Sequence, residues 1–270
     1  MKREHVELLD QSRILDAMPA AARRELGSLT VLDEVDSTNR FLMQRAAPDA
    51  AGIHACVAEA QTAGRGRRGR PWVSPSGANL YLSVVRAFAT APQSLQGLSL
   101  ATGVAVARAL ASLGVAGIML KWPNDVLLEG CKLGGILLET TGTGTQEPVC
   151  VVTGIGLNVD MPDAAGAGID QPWTDLARSG SNPGRNRLAA HVLAELLGAQ
   201  RTYIDAGFEA FSGEWRALDA LRDCVVELDA GAARRSGIAR GVDASGALLI
   251  EIGGRCERVL SAEVSLRSAR

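Results

Sequence analysis

Seven consecutive residues, Gly64-Arg65-Gly66-Arg67-Arg68-Gly69-Arg70, contain four arginines, three glycines and no acid. Glycine lets backbone N–H groups come close to an anion, and arginine offers a planar fork of donors to carboxylate or phosphate. The spacing is neither a Walker A loop nor a dinucleotide fingerprint. A solvated basic turn, or an RGG-like nucleic-acid contact, is the alternative reading. The flanks argue for a ligand, because Gln61 brings a polar amide and Trp72 a flat ring able to stack on a purine. Ordering one residue costs about 1–2 kcal/mol, so fixing Gly64–Pro71 costs up to about 10 kcal/mol. No apolar side chain within the stretch offsets that cost, so the loop is expected to be mobile when empty and ordered by an anion. Closure of this kind seals a reactive intermediate from water.

Three further segments carry polar residues beside glycine or proline. Lys121-Trp122-Pro123-Asn124-Asp125 follows an apolar run. Pro123 removes a backbone donor, so the segment reads as a strand exit. Lys121 can meet phosphate, and Asn124 and Asp125 can hold a ribose or a hydrated Mg2+; an ordinary turn of turn-forming residues is the alternative. Cys131-Lys132-Leu133-Gly134-Gly135-Ile136-Leu137 places a lysine ahead of two glycines, where it can reach a carboxylate over a bare backbone floor. A flat ligand can lie on that floor. An exposed hairpin lysine is the bland alternative. Gly154-Ile155-Gly156-Leu157-Asn158-Val159 adds a second glycine-smooth strand with one polar side chain.

These segments need elements to hold them. Residues 1–27 read as a helical lead broken at Pro19. Thr30–Val35, Ala55–Ala58 and Leu80–Val85 read as strands, and Ser37-Thr38-Asn39 as the capped start of a helix. Leu95–Leu113 is an Ala- and Leu-rich helix. Ile118–Trp122, Val126–Leu128, Gly135–Glu139 and Val149–Ile155 read as further strands, with hairpin connections at Glu129-Gly130 and Gly142–Gln146. A Gly-, Pro-, Asp- and Ser-rich stretch over 161–186 reads as a long loop, with Asn186 capping a helix from Arg187. A second helical stretch ends near Leu221. Beyond it, short alternating runs separated by Asp229–Gly231, Asp243–Gly246 and Gly253-Gly254 suggest a small β barrel. The expected division is a mixed α+β domain over 1–221, with 1–29 as its lead, and a β module over 222–270.

Composition bounds the partners. The chain has 270 residues, 47% hydrophobic and 21% charged, as in ordinary globular proteins. Its net charge of −2 argues against a general basic coat for nucleic acid or anionic membrane. Val104–Leu120 is interrupted by Arg108, Ser112 and glycines and reads as core, not as a membrane span. The N-terminus has no apolar signal region. The five cysteines form no CxxC and lie far from the three histidines, so reduced cytoplasmic thiols are expected and a zinc site is not.

Ser37-Thr38-Asn39, Gln61–Arg70, Ser74–Leu82, Lys121–Val126, Lys132–Leu137 and Gly154–Val159 together resemble the biotin–protein ligase family, in that family's order. Gly241–Arg267 resembles its closing module. The resemblance implies an α+β catalytic domain with a mixed sheet, followed by a small SH3-like β barrel. It implies two half-reactions. Biotin and MgATP first give biotinyl-5′-AMP and pyrophosphate; a lysine of a biotin carboxyl carrier protein, usually of acetyl-CoA carboxylase, then displaces AMP. On that footing Arg65, Arg67 and Lys132 supply the fixed positive charge, with Lys121 in support. Ser37, Thr38, Asn39 and Gln61 touch biotin, together with Arg65, Arg67 and Lys132, while Gly66 and Gly135 permit close approach. Trp72 stacks on adenine, and Arg67, Lys121, Asn124 and Asn158 contact the nucleotide. Asp125 is assigned to Mg2+ or the acceptor amine. No histidine falls in a motif that would make it a general base.

About 30 residues precede the matched region, fewer than a three-helix DNA-binding domain needs, so the ligase-only form without DNA binding is expected. A homodimer is left open by the sequence. A lipoate–protein ligase and a nucleic-acid-binding regulator are the rival readings.

Overall fold

The computed structural model describes residues 7–46, 52–88, 95–141, 149–229, 234–260 and 265–268. The lead forms two short helices, α1 (Gln11–Ala17) and α2 (Ala20–Glu25), separated at Pro19 as its fixed φ suggests. The Asp10 side chain caps α1 by accepting from the Arg13 N–H. The first strand, β1 (Leu26–Val35), starts earlier than the sequence suggested, because Leu26 already pairs with Ile53 of β2 (Ile53–Gln61) and Leu29 is buried. The helical lead therefore ends at Glu25 and not at residue 29.

Short helix α3 (Thr38–Met43) lies between β1 and β2. Next come β3 (Asn79–Phe88), the long helix α4 (Leu95–Ser112), and strands β4 (Ile118–Lys121), β5 (Asp125–Leu128), β6 (Cys131–Thr140) and β7 (Val149–Asn158). These seven strands make one sheet in the order β1-β2-β3-β7-β6-β5-β4. Only β1 and β2 run parallel; every other pair is antiparallel, so the sheet is mixed. The β5–β6 hairpin turns at Glu129 and Gly130, both at positive φ (52° and 78°), as a two-residue turn of primed type requires. The hairpin expected at Gly142–Gln146 lies outside the described residues.

One face of the sheet carries the main core. Leu80, Leu82, Ile136, Ile155 and Leu157 pack there with α4 and with α6 (Arg185–Ala206). A four-residue helix, α5 (Asp163–Gly166), interrupts the loop that precedes α6. Asn186 does not cap α6. It sits inside the helix, where its Oδ1 accepts from the Asp10 N–H and its Nδ2 donates to Glu7 and to the Leu8 carbonyl. Its side chain thus ties the lead to the core.

After α7 (Ser212–Leu218) come β8 (Val225–Asp229), β9 (Arg234–Val242), β10 (Leu248–Ile252), β11 (Arg255–Val259) and β12 (Ser265–Ser268). They form the expected small β module, a five-stranded antiparallel sheet in the order β11-β10-β9-β8-β12. Its Val226, Leu228, Leu248 and Ile250 belong to the same continuous core as the larger sheet. Trp122 seals the joint: its side chain is 1% exposed, and its Nε1–H donates to the Gly246 carbonyl over 3.0 Å. Trp122→Phe keeps most of the ring but leaves that buried carbonyl unpaired. It should lower unfolding free energy by about 1–3 kcal/mol, read from the midpoint of urea denaturation.

Candidate functional site

Strand alternation brings the chemistry to the face opposite the main core. Along β7, Ile155 and Leu157 point to the core, so Gly154, Gly156 and Asn158 lie on the other face. Gly156 stands opposite Gly135 of β6 and opposite Tyr81 of β3; Gly154 stands opposite Leu137 and Ser83. The Gly135–Gly156 pair leaves a patch of sheet without side chains. At one end of this face, α3 covers a small apolar cluster of Leu42, Cys56, Val85, Cys150 and Val152.

Lys132 reaches this face because β6 is bulged. Val126 pairs with Gly134 but Leu127 pairs with Lys132, so Leu133 is an extra residue. Simple alternation from Gly135 would send Lys132 to the core side; the bulge turns it back. Lys132 Nζ pairs with Asp125 Oδ1 at 2.7 Å, both side chains 18% exposed. Asp125 stands opposite Gly135 on one side and opposite Lys121 on the other, which brings Lys121 to the same face.

The arginine loop folds over this patch. Trp72 N–H donates to the Gly64 carbonyl, and Gly66 N–H to the Arg70 carbonyl, closing the loop on itself. Arg67–Gly69 form one turn of 3-10 helix, with Arg68 at φ 57°. A non-glycine residue in the left-handed region is uncommon and marks stored strain at such a tip. Gly64 has no room for a side chain: a Cβ there would fall 2.7 Å from Ser74 Oγ and from the Trp72 carbonyl. Arg67 reaches back to Asn124 Oδ1 at 3.5 Å. Burial, with Arg68 beside it, pulls the Arg67 pKa below the ordinary guanidinium value.

The ring lying on the glycine floor is that of Trp72. A Cβ on Gly156 would lie 2.7 Å from its indole, and one on Gly135 would lie 3.6 Å from it. Lys132 Nζ is 5.7 Å from the ring centroid, and the Trp72 Nε1–H is buried without a partner. The sequence reading placed a flat ligand on this floor; in the structure Trp72 already lies there.

A second polar group adjoins the loop. The Thr38 N–H donates to Gln61 Oε1 at 3.0 Å, and Gln61 Nε2 donates to Ser74 Oγ at 3.0 Å. Asn39 packs over Gly154, where a Cβ would collide with it, and its Nδ2 donates to Glu139 Oε2 at 2.8 Å. Ser83 Oγ stands 2.6 Å from Asn39 Oδ1 and 2.7 Å from Thr38 Oγ1. Glu139 also faces Arg65, with Nη2–Oε1 at 3.7 Å. Ser37 is the N-cap of α3, but its side chain makes no capping bond.

Most of the expected residues therefore converge: Thr38, Asn39, Gln61, Arg65, Gly66, Arg67, Trp72, Lys121, Asn124, Asp125, Lys132 and Gly135. Two have structural duties the sequence did not indicate. Asn124 donates through Nδ2 to the Ile136 carbonyl, holding β5 to β6. Asn158 lies on the right face but donates to the Thr174 carbonyl, pinning the loop before α6. Ser83 and Glu139 were missed. Counting in twos from Gly135 reaches Glu139, and counting in twos from Tyr81 reaches Ser83.

The donors do not fit a protein-held metal. No cluster of three or more His, Cys, Asp or Glu exists among the described residues, and the Asp125 carboxylate is committed to Lys132. Mg2+ usually needs near-octahedral oxygen coordination, so Asp125 alone is not a Mg2+ site. No disulfide joins the five cysteines, and no helix among the described residues is long and apolar enough to cross a membrane.

Residues 31–158 match the biotin/lipoate A/B protein ligase family, and residues 223–267 match the biotin protein ligase C-terminal domain. The bifunctional ligase/repressor BirA of Escherichia coli is 40% identical over 266 residues, covering 98% of this chain and 80% of that protein. The chain belongs to the biotin protein ligase family. Another member, the biotin–[acetyl-CoA-carboxylase] ligase of Mycobacterium tuberculosis, is 38% identical over 244 residues, covering 87% of this chain and 88% of that one. Among solved biotin protein ligases, the Aquifex aeolicus enzyme in complex with biotin and ATP superposes with a TM-score of 0.76 at 29% identity, over 90% of this chain and all of that one.

The floor makes its own prediction. Gly156→Ala should push Trp72 off the sheet while β7 stays folded, since the ring sits on a loop. Acrylamide quenching of tryptophan fluorescence should rise relative to the wild type. The rise should vanish when Trp72→Phe is added.

Proposed function

We propose that the protein activates biotin with ATP as biotinyl-5′-AMP and transfers biotin to a lysine of a biotin carboxyl carrier protein, that of acetyl-CoA carboxylase in the first instance. The observation that carries this reading is the gathering of Arg67, Lys121 and Lys132 from three different elements over one side-chain-free patch. A carboxylate attacking an α-phosphate brings two anions together. At about 4 Å, unit charges repel by about 1 kcal/mol in water and about 4 at an effective dielectric near 20. Cations already in place cancel that repulsion and the charge that grows in the transition state.

In the first half-reaction a carboxylate oxygen of biotin bonds to the α-phosphorus and the bond to pyrophosphate breaks. Lys132, Arg67 and Arg65 face the phosphate and carboxylate oxygens, and Lys121 supports the leaving pyrophosphate. Asp125 is a positioning residue that aims Lys132. Mg2+ enters with the nucleotide as its own counter-ion. Thr38 and Gln61, beside Ser37, meet the ureido end of biotin, which needs both donors and acceptors, and Asn39 stands behind Thr38 through Ser83. Trp72 leaves the floor and stacks on adenine, and Gly66 and Gly135 leave room for the bound groups. Asn124 acts by holding Arg67, and Asn158 by fixing the loop beside the nucleotide.

In the second half-reaction the ε-amine attacks the acyl carbon, AMP leaves with the bonding pair, and the amine proton passes to solvent. His54 bonds to Ser28 and His191 to Ser112, so neither is committed to this cluster. Positioning of the amine against an activated acyl group supplies the rate. The absence of any disulfide among the five cysteines supports a cytoplasmic location. A domain boundary after Leu221 is supported by the C-terminal family match, which begins at residue 223.

Isotope exchange between pyrophosphate and ATP should require biotin, and lipoate should not replace it; exchange driven by lipoate alone would overturn the reading. Arg67→Ala should slow biotin-dependent exchange by about a hundredfold or more. The same change should move unfolding free energy by only about 0.5 kcal/mol, because Arg67 is only half-buried and Arg65, Arg68 and Arg70 around it are exposed. A large loss of stability with normal exchange would make the loop structural.

A further inference from the structure

The hydrogen-bonded chain from Glu139 to Thr38 has a fixed direction. A carboxylate only accepts, an amide offers two protons on one end and none on the other, and each hydroxyl has one proton. Asn39 Nδ2 spends its protons on Glu139 Oε2 at 2.8 Å and on the Leu137 carbonyl at 3.3 Å. Turning the amide over would place its oxygen against two acceptors, so Asn39 Oδ1 must face Ser83. At 2.6 Å that contact needs a proton, and only Ser83 can give it. Ser83 Oγ then has nothing left to donate. Its 2.7 Å contact with Thr38 Oγ1 must therefore use the Thr38 proton.

Thr38 Oγ1 is left with lone pairs and no proton. Its 3.2 Å approach to Gln61 Oε1 consequently carries no hydrogen bond from the hydroxyl; Gln61 Oε1 is served by the Thr38 N–H. The other end of Gln61 is ordered in the same way. Ser74 Oγ donates to the Trp72 carbonyl and so accepts from Gln61 Nε2, leaving the second Nε2 proton uncommitted. Side by side stand an obligatory acceptor on Thr38 and a donor on Gln61. Ser83 is fully buried and Thr38 and Asn39 are 4% exposed, so the order among them is set by these side chains.

We infer that Glu139 is a positioning residue for vitamin recognition: through Asn39 and Ser83 it holds the Thr38 hydroxyl as an acceptor for a ureido N–H, while Gln61 donates to the ureido carbonyl. This rests on the biotin-ligase reading above and deepens it. Oε1 of the same carboxylate faces Arg65 at 3.7 Å, so the test must separate the two partners.

Glu139→Gln keeps the shape but presents an amide that can donate or accept. Only the 3.3 Å bond to the Leu137 carbonyl then still orients Asn39, so Thr38 is held to one role far less firmly. Biotin Kd by calorimetry should rise about tenfold, the scale of one hydrogen bond, with the KM for ATP unchanged. Ser83→Ala cuts the chain while leaving Arg65 and Glu139 in place. In that background Glu139→Gln should cost nothing more. Thr38→Val, nearly isosteric, gives a second background with the same expectation should Ser83→Ala not fold. An unchanged Kd in Glu139→Gln overturns the inference. So does a tenfold loss that persists in both backgrounds, because the carboxylate would then act through Arg65. If the wild-type protein binds no biotin, the functional reading itself falls.

Discussion

Gly135 and Gly156 face each other across β6 and β7, and neither puts a side chain on the face where Lys132, Asp125 and Trp72 gather. Everything else at the site depends on that bare pair. A ring can lie flat against backbone only where no Cβ intervenes, and here that ring is Trp72. Elsewhere on the same face, Tyr81 and the apolar cluster under α3 fill the space, which confines the opening to one patch. The opposite face is closed by α4 and α6, so the patch has a rigid, fully packed backing.

The positive charges are held before any ligand arrives. Lys132 is aimed by Asp125, Arg67 by Asn124 and Arg65 by Glu139. Each partner is on a strand or at its end, while the arginines are on a loop, so strand residues orient the loop's side chains. Charges fixed in advance need no reorganisation when negative charge develops, which is the advantage the proposed reaction would draw on. Burial works against Arg67 by disfavouring its charged form. An anion beside it would reverse that penalty, giving the loop a reason to prefer the liganded arrangement.

Much of this was legible in the sequence because the chemistry-bearing residues are clustered along the chain. The arginine-glycine loop, the lysine before two glycines and the glycine-smooth strand all fall where their residue types suggested. What was not legible required register. Nothing in the local sequence announces the extra residue at Leu133 that turns Lys132 to the site face. Asn124 and Asn158 could not be told from ligand-contacting amides until their carbonyl partners, distant in sequence, were known. Asn186 looked like a cap because its residue type suits one, yet its partners lie in the lead, more than 170 positions away. Ser83 and Glu139 were hidden for the same reason: each is ordinary within its strand and acquires a role only across three strands.

The segment Lys121–Asp125 shows how closely site and scaffold are joined. Lys121, Asn124 and Asp125 serve the patch, while Trp122 between them anchors the C-terminal sheet through Gly246. The measurement that tests the central claim most directly is a crystal structure of the protein with biotinyl-5′-AMP. The account predicts Arg67 and Lys132 within about 3 Å of the phosphate oxygens, as charge-assisted hydrogen bonds require, with the adenylate over Gly135 and Gly156. An adenylate bound elsewhere, with the arginine loop directed into solvent, would contradict it.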